Sequence, residues 1–317
     1  MIVDIIVDLQ YGDSGKGKIT HYLCANNHYT HVVRYNGGCN AGHTIYHKGR
    51  KFVTHHVPAG VFFNIPSIIG PGCVVNPEKL FGEIEQLEAA GISARKLIKI
   101  AKNTHIITGA HTGEDNNAEI GTTKQGNGPA YRDKYARTGL RAEDIVELEP
   151  FLVDFYEEMH QEGVIALFEG AQGFGLDIDW GDYPYVTSSH CTVAGALLNG
   201  IPPKAIRNVW GVAKPYETYV GGKNFQGDDP IFNKICEVGE EYGATTGRKR
   251  QINWFSWELF EKALKINGLT HLVINKMDVM REIGTWKVKK NNILVDFGSE
   301  SGFQRFFIDS LSDMGVT

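Results

Sequence analysis

An apolar run, Ile2 to Val7, empties into Asp8-Leu-Gln-Tyr-Gly-Asp-Ser-Gly-Lys-Gly-Lys-Ile19, after which Ile19, Leu23 and Cys24 fall at helical spacing. No other stretch restricts the fold as tightly, because a buried strand that opens through glycines into a helix is a phosphate cradle. Small residues let backbone N–H groups approach anionic oxygens, and the helix N-terminus adds partial positive charge. In this reading Gly12, Ser14, Gly15 and Gly17 shape the loop, and Lys16 and Lys18 add full charges. The spacing is not that of the Walker P-loop, since only two residues separate Gly12 from Gly15. Asp13 stands out. A carboxylate beside bound phosphate is repelled unless it holds a metal or takes a proton, so it points to chemistry rather than to plain binding.

The same arrangement recurs. A strand near Thr30–Arg34 precedes Tyr35-Asn-Gly-Gly-Cys-Asn-Ala-Gly-His-Thr44, and Val164–Phe168 empties into Glu169-Gly-Ala-Gln-Gly-Phe174. Asn208–Val212 reads as a further strand, and Leu272–Asn275 runs into Asn275-Lys-Met-Asp278. Strands alternating with helices predict an α/β fold: a mostly parallel central sheet with helices on both faces, long active-site loops and small β-hairpin additions. Ligands then bind beyond the carboxyl edge of the sheet. Thr44–His47 and Lys51–Val57 read as a hairpin. Leu148, Leu152, Phe155 and Met159 predict one amphipathic helix. The aperiodic stretch 120–141 reads as a functional loop. At 317 residues and 42% hydrophobic content, the chain is expected to form a single domain, 1–317.

Composition narrows the partners. A net charge of −5 gives no ground for nucleic acid or an anionic membrane. No apolar run approaches 18 residues, so a soluble, cytoplasmic protein is expected. Five scattered cysteines, without a C-x-x-C pair, fit a reducing compartment and argue against disulfides or zinc.

Three loops carry further chemistry. Asp278 can accept from both N1–H and the 2-amino group of guanine while the Lys276 stem covers the ring, the selectivity logic of GTP-binding proteins. Thr245-Thr-Gly-Arg-Lys-Arg250 gathers hydroxyls and cations suited to carboxylate or phosphate. Asn40-Ala-Gly-His-Thr44 sets His43 after a small-residue turn. The phosphate loop and Asn-Lys-x-Asp alone also suit a GTP-binding switch, but that reading leaves Thr245–Arg250 without a task.

In order along the chain these loops resemble the adenylosuccinate synthetase family, which joins aspartate to the 6-position of a purine nucleotide. The matching segments are Gly12-Asp-x-Gly-Lys-Gly-Lys18, Asn40-Ala-Gly-His-Thr44, Ile120-Gly-Thr-Thr123, Gly128-Pro-Ala-Tyr131, Ala136-Arg137, Glu169-Gly-Ala-Gln-Gly173, Tyr183-Pro-Tyr-Val-Thr-Ser188, Thr245-Thr-Gly-Arg248 and Lys276-x-Asp278. The resemblance implies Asp13 as general base at purine N1, His43 as donor to the phosphate in transfer, and Gln172 reading the base. It implies GTP as phosphoryl donor, and Mg²⁺ held by Asp13 and the Gly42 carbonyl. Asn40, Thr122, Thr123 and Thr187 would bind the purine monophosphate, with Arg137 reaching in from the partner subunit of a homodimer. Thr245, Thr246, Arg248 and Arg250 would grip aspartate. The departures are Ser14 where ordinary members carry Glu, Lys124-Gln125 for Gly-Arg, Cys39 for His, and Tyr219 for Arg. The short chain and its opening resemble the phage branch, which uses dGMP in place of IMP and would place the enzyme in a host cytoplasm. The expected substrate is therefore GMP or dGMP, with IMP as the alternative.

Overall fold

The computed structural model describes residues 1–116, 121–243, 247–312 and 314–317. Its frame is an eight-stranded sheet. The strands are β1 (Ile2–Asp8), β2 (His31–Arg34), β3 (Ser67–Ile69), β4 (Ile98–Ala101), β5 (Leu152–Val153), β6 (Ile165–Glu169), β7 (Ile206–Ala213) and β8 (His271–Ile274). They lie in the order β8-β7-β1-β6-β2-β3-β4-β5, and every pairing is parallel. In β1 the side chains alternate between two cores. Ile6 packs with Ile19, Leu23, Val32, Leu167 and Val212 under the helix Lys16–Asn26, while Val3, Ile5 and Val7 join Phe168, Phe155, Met159 and Ala196 on the other face. Burial on both faces is why these strands are continuous apolar runs rather than alternating ones.

A second, four-stranded sheet orders Tyr216–Tyr219, Gln251–Ser256, Lys287–Lys290 and Ile293–Asp296. Its core is built on Phe255, Phe260, Trp257, Phe303 and Phe307. The hairpin His43–His47/Arg50–Thr54 stands apart from both sheets.

Two expectations fail, each for a local reason. The stripe Leu148–Met159 is not one helix. Pro150 lies in a 3₁₀ segment, Val146–Phe151; Leu152–Val153 joins the sheet; and Asp154 caps a separate helix, Phe155–Met159, by accepting from the Glu157 N–H. The stretch 120–141 is not a loop throughout, because Asn127–Ala136 is helical. That helix buries only Asn127, Ala130 and Tyr131, too little apolar surface to leave a periodic signal.

The carboxyl ends of β1, β2, β6, β7 and β8 all point to one edge, where Asp8, Arg34, Glu169, Ala213 and Ile274 hand over to the loops singled out above. Among the described residues, no helix is long and apolar enough to cross a membrane.

Candidate active site

One cavity of about 1100 Å³ opens along that edge. It is lined by the loops 11–18, 40–44, 121–123, 185–188, 219–221 and 240–243, together with Gln172, Arg250, Asn275, Lys276 and Asp278. Loops from Tyr11 to Asp278 thus share one space.

The phosphate loop begins where β1 ends. Asp8, 1% exposed, accepts the N–H of Gln10 at 3.0 Å and of Gly12 at 3.2 Å on Oδ1, and that of Ser14 at 3.1 Å on Oδ2. Lys16 Nζ donates to Asp8 Oδ2 at 3.2 Å and also to the main-chain oxygen of Gln172. Lys16 is therefore buried and paired, not aimed at the cavity as the sequence suggested. Ser14 likewise turns inward, its hydroxyl donating to Gln10 Oε1 at 3.3 Å. Lys18 is exposed at the cavity wall. Gly15 is left-handed, φ +97°, and a Cβ there would stand 2.6 Å from Asn275 Nδ2, which donates to the Ser14 carbonyl at 2.7 Å.

Asp13 is left-handed, φ +57°, and presents its carboxylate at the cavity surface, with Oδ2 at 2.9 Å from Arg250 Nε. Arg250 also pairs with Glu241. Glu241 is fully buried and accepts from Tyr216 Oη at 2.6 Å and Lys214 Nζ at 3.1 Å. Burial opposes its ionisation, but Lys214 and Arg250 hold its carboxyl down at about 2.

His43 enters from the hairpin and packs on the loop, since a Cβ on Gly17 would lie 3.0 Å from its own Cβ. Its Nδ1 lies 2.8 Å from Arg34 Nη1 and against Glu169 Oε1. Burial first, and Arg34 second, push its pKa down to about 4. Burial opposes a charge on Glu169, yet His43 and Arg34 hold that carboxyl at about 2. At neutral pH the site thus contains a neutral imidazole beside a charged Arg34–Glu169 pair.

On the Gln172 side of the cavity, Asn40 Oδ1 accepts from Gln172 Nε2 and from Asn127 Nδ2, both at 2.8 Å. Gln172, like Asp13, is left-handed at φ +57°. Thr122, Thr123, Thr187 and Gly42 line the cavity. Lys276 caps the helix Met277–Ile283 at φ +62° and donates to the Gly239 carbonyl at 2.7 Å, and Asp278 is exposed beside it. Tyr219 is not exposed in place of an arginine; it packs against Tyr11 and Phe225.

Not every expected residue converges. Arg137 and Arg248 are exposed and do not line the cavity. Thr245 and Thr246 lie outside the described residues. Conversely, Asp8, Arg34, Lys214 and Glu241 went without a role in the sequence, as did Glu169 beyond its place in a motif. For Asp8, Arg34 and Glu169 a signal was there: each is a charged residue closing a buried apolar strand at the ligand edge.

Comparison with known proteins gives a consistent result. The family profile described as adenylosuccinate synthetase matches residues 5–162 and 147–292. The adenylosuccinate synthetase of Geobacillus kaustophilus (strain HTA426) is 38% identical over 341 aligned residues, covering 90% of this chain and 79% of the relative. That of Lactococcus lactis subsp. lactis (strain IL1403) shows the same identity and coverage. Among solved structures, the fully ligated adenylosuccinate synthetase of Plasmodium falciparum superposes with a TM-score of 0.82 at 30% identity, over 96% of this chain and 86% of that one. The cyanophage S-2L succinoaminodeoxyadenylate synthetase, PurZ, bound to dGMP and dATP, shares the fold with a TM-score of 0.73 at 22% identity, over 96% and 99%.

Proposed function

Because the chain belongs to the adenylosuccinate synthetase family, and is a C–N bond-forming ligase, we propose that it joins L-aspartate to C6 of a 6-oxopurine nucleoside monophosphate at the expense of GTP. The observation that carries this reading is the meeting of Asp13, His43, Gln172 and Asp278 on one cavity.

Asp13 takes the N1 proton of the purine, and O6 attacks the γ-phosphorus of GTP while the bond to the β-phosphate oxygen breaks and GDP leaves. His43 donates to the phosphoryl group in transfer. Its Nδ1 is held between Arg34 Nη1, at 2.8 Å, and Glu169 Oε1, which fixes the ring in the cavity wall. The aspartate amino group then attacks C6, the C6–O6 bond breaks, and inorganic phosphate departs with O6. Gln172 reads the base. Asn40, Thr122, Thr123 and Thr187 hold the monophosphate, and the loop glycines, the first helical turn and Lys18 hold the triphosphate. Lys276 and Asp278 select guanine. Arg250, with Thr245, Thr246 and Arg248, grips aspartate. Asp13, with one oxygen committed to Arg250, and the carbonyl of Gly42 are oxygen donors of the kind Mg²⁺ takes, and when bound the ion would neutralise phosphate charge there.

Arg137, exposed and left-handed at the end of Asn127–Ala136, serves the cavity of a partner subunit in a homodimer; exposed Tyr135 and Leu140 flank it. Five buried, unpaired cysteines suit a reducing cytoplasm, that of a host if the chain is phage-encoded.

The favoured nucleotide is GMP or dGMP, which rests on the phage-like opening Asp8-Leu-Gln-Tyr-Gly-x-Ser-Gly-Lys-Gly. Ser14 cannot itself read the 2-amino group, because its hydroxyl is turned inward to Gln10. IMP is the second reading, favoured by the identity to ordinary synthetases and by the retention of Asp13 and Lys276-x-Asp278. Turnover of IMP, dIMP, GMP and dGMP with GTP and aspartate, compared by kcat/KM, decides between them. An advantage for IMP above about tenfold, or ~1.4 kcal/mol, overturns the favoured substrate. Absence of aspartate-dependent phosphate release with all four overturns the reaction.

A further inference from the structure

We propose that Asp8 is a positioning residue for this reaction: a built-in anion around which the phosphate loop is already folded, and which sets Asp13 and Gln172 through one buried post, Lys16. The proposal rests on the roles given to Asp13 and Gln172 above.

The geometry of Asp8 is that of a ligand. Glycine loops after a strand normally aim their N–H groups at phosphate. Here the N–H groups of Gln10, Gly12 and Ser14 converge instead on the two oxygens of Asp8, at 3.0, 3.2 and 3.1 Å. Lys16 adds its ammonium at 3.2 Å, and the side chains of the pair are 4% and 0% exposed. The donors that an incoming triphosphate would otherwise organise are thus satisfied by the protein itself. Gly12 is taken, and the ligand is left Gly15, Gly17, the rest of the first turn of the helix Lys16–Asn26, and Lys18.

The second half of the post faces the purine. Lys16 Nζ also donates to the main-chain oxygen of Gln172. The two loops abut so closely that a Cβ on Gly173 would overlap the Gly12 amide and reach 2.9 Å from Asp8 Oδ1. Asp13 and Gln172 both hold φ +57°, a conformation uncommon for residues with a Cβ. Asp8 grips the N–H groups of Gly12 and Ser14, on either side of Asp13, and Lys16 grips the Gln172 carbonyl. A buried charge with a full set of partners fixes geometry, and losing one partner leaves the other uncompensated.

Asp8→Asn keeps an oxygen for Gln10 and Gly12 but turns a donor toward Ser14 N–H and Lys16. The expected result is a fall in kcat on the order of 10²-fold, the cost of a catalytic group displaced by about 1 Å, with the KM for aspartate changed less than about threefold. A purely structural Asp8 would instead lower the melting temperature while kcat per folded active site stays at the wild-type value, and that result overturns the proposal. Should the variant not fold, amide hydrogen exchange on the wild-type enzyme decides. Gln10, Gly12 and Ser14 amides are expected to be protected without nucleotide and unchanged by GTP. Free exchange that slows only when GTP is added would show that they face the ligand, and the proposal falls. The exchange measurement stands even if the wild-type enzyme shows no aspartate-dependent turnover, so the two readings fail separately.

Discussion

The two ends of the cavity are built on different terms. The phosphate-loop end is organised around Asp8 to Lys18, joined by Arg34, His43 and Glu169, and most of its charges are met there: Asp8 by Lys16, and Arg34 by Glu169 and His43, while Asp13 reaches across to Arg250. The far end, for which we propose aspartate and guanine, draws on Gly239–Gly243, Arg250 and Asn275–Asp278, segments separated in sequence, and leaves Asp278 and Tyr242 exposed. Its buried anchor is Glu241, which gathers Lys214, Tyr216 and Arg250. The glycine turn is thus held in shape by its own carboxylate, whereas the far end presents side chains that a ligand has still to engage.

Substitutions can break this contrast. Asp13→Ala should remove turnover by about 10³-fold or more, the upper range for a general base, while GTP still binds at the intact phosphate end; phosphate release and equilibrium binding measure the two effects. Glu241→Gln leaves Lys214 and Arg250 buried without their full counter-charge, and should cost roughly 3–5 kcal/mol of stability in denaturant unfolding. An effect under ~1 kcal/mol would mean that the far end has no buried anchor. Asp278→Asn should reduce the kcat/KM preference for GTP over ATP by about tenfold or more, as expected when a paired acceptor is lost, with KM for the purine monophosphate unmoved.

Acid and base should separate the two ends as well. His43 in the cavity wall and His56, buried where its N–H meets Glu83, are pushed down to about 4 mainly by burial. The unfolded chain binds those protons below about 6.5 and the folded chain does not, so this part of the stability is present above that pH and lost as pH falls toward 4. Glu217, on the strand Tyr216–Tyr219, is pushed up to about 8 by burial, with Asp182 adding to it. Its folded form keeps a proton that the unfolded form releases, so stability declines as pH rises from the ordinary carboxylate range to 8. Glu217→Gln should therefore raise the melting temperature by a few degrees at pH 8, about 2–4 °C per kcal/mol, and leave it unchanged near pH 4. Equal shifts at both values would show that the carboxyl is ionised throughout.

The sequence revealed the frame where physics is local. Buried parallel strands are unbroken apolar runs, and the glycines after β1, β2 and β6 mark the ligand edge before any coordinates are known. It misled where one residue outweighs a pattern, as Pro150 and Asp154 do within the stripe Leu148–Met159. The motif residues were legible as a set, but not their orientation. Lys16 looks like a phosphate ligand until Asp8 is seen to claim it, and nothing in the sequence shows that the Ser14 hydroxyl turns to Gln10. Arg34 and Lys214 escaped notice because a lone cation has no period, and only tertiary packing brings each to its carboxylate.

The side-chain amide of Asn275 that rivets the last strand's loop to Ser14, with Gly15 bare beneath it, acts as a clasp. It ties the turn that carries Asp13 to the loop that carries Asp278, so the two walls of the cavity cannot part without breaking that hydrogen bond.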